Sequence, residues 1–136
     1  TSTTANFTGS GATISGDNNF AEVSFTGSSA TITGNNTITT ANFDGDNIQL
    51  NGNNTITTAN FTGSGAIING TNIFTTANFN GSKTTIKGNN VFDVFNCNIL
   101  GQETKVLIFG GSETQKVKDF KVNGNENKKL ILRSFL

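Results

Sequence analysis

An 18-residue repeat is the feature that most constrains how this chain can fold. Phenylalanine recurs at this interval from Phe7 to Phe79, and Cys97 takes the sixth place. Glycine recurs at the same interval in two columns, at positions 9, 27, 45, 63 and 81 and at positions 16, 34, 52, 70 and 88. A repeat this short cannot bury its apolar side chains alone, so it must be stabilised by stacking on its neighbours.

Each repeat contains three short strand-like pieces separated by turn residues. In the repeat that begins at Phe25, the pieces are residues 30–33, 37–39 and 40–43, and Gly/Ser and Gly/Asn turns precede the first two. Period-two alternation, β-branched residues and Gly/Asn punctuation are typical of strands and turns, and the helical period of 3.6 residues is missing. The sequence therefore predicts an all-β protein.

Like residues in register at a constant interval predict a parallel β-solenoid, three-sided, with coils of 18 residues. Coils stack at about 4.8 Å, so the five regular coils of residues 7–96 would make a rod roughly 24 Å long. Apolar residues follow one another at intervals of seven, six and five from Phe25 through Ile32 and Ile38 to Phe43. This spacing favours a right-handed solenoid over a left-handed one, which repeats in steps of six.

Three columns of large apolar residues are predicted to form the core. They are Phe7, Phe25, Phe43, Phe61 and Phe79; Ile14, Ile32, Leu50, Ile68 and Ile86; and Phe20, Ile38, Ile56, Phe74 and Phe92. Columns of smaller residues, chiefly alanine, allow a thin cross-section to close around them. Cys97, in a phenylalanine column, is expected to be a small buried apolar residue.

Asparagine forms two further columns, for which a structural and a ligand-binding interpretation compete. Asn18, Asn36, Asn54, Asn72 and Asn90 follow the second glycine turn, and Asn6, Asn42, Asn60, Asn78 and Asn96 precede the phenylalanines, with Ser24 as the exception. Stacked amides can hydrogen-bond from coil to coil, and asparagine tolerates left-handed turns. Because the columns lie at turns in every coil, we expect structural ladders.

The chain divides into residues 1–96, with regular coils and a net charge of −3, and residues 97–136, with a net charge of +3. In the second part the glycine columns end and the apolar runs become longer. Two interpretations remain: wider coils that continue the solenoid, which we favour, or a cap on its open edge. Charged residues are expected at such an edge because they oppose pairing with other chains.

The composition argues against several classes of function. Without histidine, the chain lacks a residue that zinc sites and serine or cysteine triads commonly use. The acids of the regular part, Asp17, Glu22, Asp44, Asp46 and Asp93, fall in five different columns, so no catalytic, metal or cofactor site is predicted. A basic field for nucleic acid and an apolar run long enough to span a membrane are also missing.

The repeats resemble the Asn/Thr/Phe/Gly-rich coils of large bacterial surface proteins. The resemblance is carried by residues 57–64 (TTANFTGS) and 75–82 (TTANFNGS), and by the ending of residues 124–134. The families are the passenger regions of autotransporters, including vacuolating-cytotoxin-like ones, and filamentous haemagglutinin-like adhesins. The resemblance implies a right-handed parallel β-helix that is exported and displayed on the cell surface.

We therefore expect a non-enzymatic segment that extends and presents within an extracellular adhesin or toxin-like passenger. Its partner would be a receptor on a host or cell surface. One alternative is a self-assembling extracellular fibre, in which the chain binds itself end to end. A weaker alternative is an ice-binding solenoid, suggested by the outward pairs Thr37/Thr39 and Thr55/Thr57, which the neighbouring coils do not continue as full threonine pairs.

Overall fold

A computed structural model describes residues 3–99, 104–124 and 127–135, which form fourteen β-strands and no helix. The strands alternate along the chain between two sheets of seven strands each. Sheet 1 contains β1 (Thr4–Phe7), β3 (Asn19–Phe25), β5 (Thr37–Phe43), β7 (Thr55–Phe61), β9 (Ile73–Phe79), β11 (Val91–Asn98) and β13 (Lys116–Asn123). Sheet 2 contains β2 (Thr13–Ile14), β4 (Thr31–Thr33), β6 (Gln49–Asn51), β8 (Ala66–Asn69), β10 (Lys83–Ile86), β12 (Lys105–Gly110) and β14 (Leu130–Phe135).

Neighbouring strands are parallel and keep the register of the repeat. In sheet 1, Ala41 pairs with Ala59 and Phe43 with Phe61, and sheet 2 keeps the same interval from β2 to β10. The predicted parallel β-solenoid with 18-residue coils is therefore confirmed.

The sequence predicts three strands in each coil, whereas the structure has two. Residues 37–39 and 40–43 belong to the single strand β5, in which Ile38 and Ala41 are buried, Thr39 is exposed and Thr40 is half-buried. Two successive outward side chains interrupt the alternation of a flat strand, so the coil turns there without a break in the strand. The third side of the coil is thus the second half of a bent strand.

The three predicted core columns lie inside the solenoid. All fifteen residues are buried except Phe7 and Phe20, which are half-buried in the first two coils. The small residues between them, such as Ala41, Ala59 and Ala77, are fully buried as well. Burial of these side chains between stacked coils is the main favourable contribution to folding.

The rings of the first column stack face to face along the rod. Ring centroids are 4.7 Å apart between Phe43 and Phe61 and 5.1 Å apart between Phe61 and Phe79. Where Cys97 replaces the next ring, Phe95 replaces an alanine in the adjoining column, and its centroid lies 4.4 Å from that of Phe79. The volume lost in one column is restored in the other, so the interior stays filled.

The strands of residues 97–136 extend both sheets, with longer coils. Phe95 of β11 pairs with Phe120 of β13, and Thr84 of β10 pairs with Leu107 of β12, so the interval rises from 18 to 25 and 23 residues. The order of strands places β13 beside β11 and β14 beside β12.

Candidate functional surfaces and buried polar groups

The column from Asn18 to Asn90 forms a continuous hydrogen-bonded ladder along one corner of the solenoid. The side-chain Nδ2 of Asn36 donates to Oδ1 of Asn54 at 2.9 Å, and Nδ2 of Asn54 donates to Oδ1 of Asn72 at 2.8 Å. The four residues from Asn36 to Asn90 are at most 1 % exposed. We call this column the inner ladder.

From Asn36 to Asn90, each side-chain oxygen of the inner ladder accepts a second hydrogen bond, from the backbone of the preceding coil. Oδ1 of Asn54 accepts the backbone N–H of Asn36 at 3.1 Å, and Oδ1 of Asn72 accepts that of Asn54 at 3.0 Å. These two donors fix the orientation of each amide, because a flipped amide would direct its own NH₂ at an N–H group. The buried amides of the inner ladder therefore link adjacent coils by hydrogen bonds, which is a structural role.

Gln115 continues the inner ladder into the longer coils. Nδ2 of Asn90 donates to Oε1 of Gln115 at 3.0 Å, and Nε2 of Gln115 donates to the backbone carbonyl of Gly88 at 2.6 Å. The 18-residue period does not predict this position, because it holds a glutamine at an interval of 25 residues.

The second predicted column forms an outer ladder on sheet 1, with the opposite direction of donation. Nδ2 of Asn60 donates to Oδ1 of Asn42 and Nδ2 of Asn78 donates to Oδ1 of Asn60, both at 2.8 Å, so each amide donates to the preceding coil. Asn96 joins at one end, and Ser24 Oγ accepts from Asn42 at the other. The residues of this ladder from Asn42 to Asn96 are half-buried.

Lys105, which begins the first longer coil, is a buried cation that no sequence pattern predicts. It is 2 % exposed, and its Nζ donates to the backbone carbonyls of Phe79, at 2.7 Å, and Gly81. One coil earlier, the carbonyl of Phe61 accepts the backbone N–H groups of Asn80 and Gly81. The lysine therefore supplies side-chain donors at the turn where the regular coils end.

Burial shifts the acid–base equilibria of Lys105 and of the neighbouring Cys97. Desolvation lowers the pKa of the Lys105 ammonium to about 8, and the interaction with Cys97 opposes that change. Desolvation raises the pKa of the Cys97 thiol, and the charge of Lys105 opposes it. Cys97 is fully buried, which fits the expectation of a small apolar core residue.

Two acids of the regular coils, Asp17 and Asp46, accept hydrogen bonds from turns of the following coil. Oδ1 of Asp17 accepts the backbone N–H of Asn35 at 2.9 Å, and Oδ1 of Asp46 accepts that of Ser64 at 2.7 Å. Among the described residues, no group of three or more carboxylate or thiol side chains is placed to hold a metal ion. These carboxylates act as acceptors between adjacent coils.

Outward threonines form a short array on sheet 1. Thr39, Thr57 and Thr75 lie in one exposed column, and Thr37 and Thr55 in another, where Ile73 takes the next place with 49 % of its surface exposed. A cleft of about 450 Å³ lies nearby, where the coils widen; its lining residues are Thr71, Asn89, Asn90, Val91, Thr114 and Lys116.

Comparison of the chain with protein-family models, with curated proteins and with solved structures gives no match. Within the described residues, no helix has the length and apolar character that crossing a membrane requires.

Proposed function

We propose that this chain is a non-enzymatic structural segment that extends and presents within an exported bacterial surface adhesin or toxin-like passenger. The supporting observation is the contrast between inward and outward residues. In sheet 2, the inward residues Ile32, Leu50 and Ile68 are alike, whereas the outward place paired with Thr31 holds glutamine in the next coil and isoleucine in the one after. Outer side chains can vary for a partner without loss of the core.

Duplication of one coil tests the extending role. Repeating residues 43–60 should lengthen the rod by about 4.8 Å and preserve the strand content, because the insert restores every column. Small-angle scattering and circular dichroism measure both quantities. The matched control repeats residues 43–59, which is one residue short and turns inward side chains outward. An 18-residue duplication that unfolds the chain would refute the proposal of a freely extendable rod.

Antibody labelling tests the display of the segment. Antibodies raised against residues 1–136 should label intact cells of the source bacterium before permeabilisation, or a passenger released into the medium. A cytoplasmic protein of the same cells is the control for integrity. Labelling that appears only after permeabilisation would contradict an exported role.

A further inference from the structure

The coil of β13 and β14, the last one that the structure describes, exposes apolar side chains that would otherwise lie in the core. Phe120, Val122 and Leu132 are 43 %, 48 % and 58 % exposed, although they continue columns that are fully buried one coil earlier. An open parallel edge also presents backbone N–H and C=O groups, which can pair with a further strand. The last described coil therefore combines exposed apolar side chains with a parallel strand edge, and both features favour binding of another coil.

The first coil of the same chain has the complementary shape. If β1 of a second copy followed β13 in the existing register, Phe120 would lie beside Ala5 and Val122 beside Phe7. A large residue would then meet a small one in each of the two columns. The same exchange of volumes already occurs inside the rod, where Phe95 lies beside Ala77 and Cys97 beside Phe79.

Gly9 and Gly16 leave two places without a side chain on the face of the first coil that points away from the second coil. Inside the rod, a Cβ on Gly27 would overlap the carbonyl of Gly9, because the glycines of one column approach the preceding coil closely. A Cβ on Gly9 or on Gly16 would meet nothing within 4 Å. These two positions point toward the space that a preceding coil would occupy, and they leave room for its backbone.

The two ends also carry opposite charges. Asp17 and Glu22 are the charged residues of the first two coils, whereas β13 carries Lys116, Lys118 and Lys121 with one aspartate. Opposite charges on two approaching faces favour association in one orientation and disfavour contact between like ends.

We propose that the last coil of one copy binds the first coil of a second copy, with β13 beside β1 and β14 beside β2, in the register that places Phe120 next to Ala5. The contact is heterologous, so it propagates into a filament of continuous sheets. The same faces would bind adjoining coils of a longer protein. The proposed presenting role does not depend on this contact, and its two tests are read independently of it.

Disulfide trapping tests the register. In a Cys97→Ala background, Asn6→Cys and Lys121→Cys place thiols on exposed, adjacent positions of one column, about 4.8 Å apart across the proposed contact, within disulfide reach. Mild oxidation should give a ladder of covalent multimers. The control combines Asn6→Cys with Lys118→Cys, three residues out of register, and should give no covalent multimers on a denaturing gel. Equal cross-linking of both pairs, or none, would overturn the proposal.

A second measurement uses the chain without added cysteines. Sedimentation should show self-association that weakens with salt, and Gly9→Ala should weaken it by about tenfold or more. The melting temperature of Gly9→Ala, measured on the dilute monomer, should equal that of the parent chain, because the added methyl group meets open space within one molecule. A strict monomer at low salt and high concentration, or association unaffected by Gly9→Ala, would refute the contact.

Discussion

Phe61 lies between the rings of Phe43 and Phe79 and is almost fully buried. Replacement by alanine leaves a cavity between two rings that the backbone ladder holds in place, so Phe61→Ala should lower the free energy of unfolding by about 3–5 kcal/mol. The control is Thr57→Ala, on the exposed face of the same strand, which should change it by less than about 0.5 kcal/mol. Urea denaturation measures both, and similar losses would contradict the assignment of inward and outward faces.

Asn54 is the central residue of the inner ladder. It differs from Asn60 of the outer ladder in its burial and in the backbone N–H that its side-chain oxygen also accepts. Asn54→Ala removes the acceptor for two donors of Asn36 and the donor to Asn72, so it should cost about 2–4 kcal/mol of stability. Asn60→Ala, whose partners are half-buried and can bind water, should cost about 1 kcal/mol or less. An equal cost at both positions would show that burial of the inner ladder contributes little.

At the scale of the coil, close approach of backbones explains the glycine columns better than backbone dihedral angles do. Gly63 does not have a positive φ, yet a Cβ there would overlap the carbonyl oxygen of Gly45. Gly70 has both a φ of 119° and an overlap with Gly52. A side chain in either column would push adjacent coils apart.

Gly63→Ala should therefore lower the free energy of unfolding by about 1–3 kcal/mol, because two adjacent backbones must separate. Gly9→Ala is the matched control in the same column, and its methyl group meets open space in the single chain. Thermal denaturation of the two variants at low concentration makes the comparison. Equal stability of both would mean that the coils can separate at little cost.

The sequence predicted the strands and their register well, because period and alternation are local properties of residue type. It did not predict the joining of two strands at Thr39 and Thr40, since a corner made by two outward threonines leaves no glycine or asparagine as a marker. Nor did it predict burial of Lys105. The partners of that lysine are backbone carbonyls, whose positions depend on the folded coil and not on residue type.

At the scale of the whole molecule, Lys105 stands at the junction between regular and longer coils. Lysine in an unfolded chain titrates near pH 10.4, and the pKa of Lys105 in the folded chain is about 8. Between these values the unfolded chain binds more protons, so stability rises with pH across this window. Below pH 8 both states are protonated, and the cost of burying the charge is fully present.

The raised pKa of Cys97 opposes this effect, because the folded chain keeps the thiol proton where the unfolded chain loses it. In a Cys97→Ala background we therefore expect the free energy of unfolding to rise between about pH 8 and pH 10, by at most about 3 kcal/mol, through Lys105. Lys105→Met should remove that rise, because methionine has no charge to bury. Lys116→Met, on the exposed side of β13, is the control and should retain it. Denaturation at a series of pH values measures the three profiles, and identical profiles for the parent and Lys105→Met would contradict the assignment.

The hydrogen bonds between coils and both asparagine ladders run along the axis of the rod. A tensile load on the two ends is therefore carried by successive coil-to-coil contacts in series, and the weakest contact determines the force at which the rod yields. Detachment of one regular coil would release 18 residues, or roughly 60 Å of extended chain, while the remaining coils keep their sheets. Under a tensile load, a solenoid of this kind would extend in discrete steps, one coil at a time, and would not unfold in a single event.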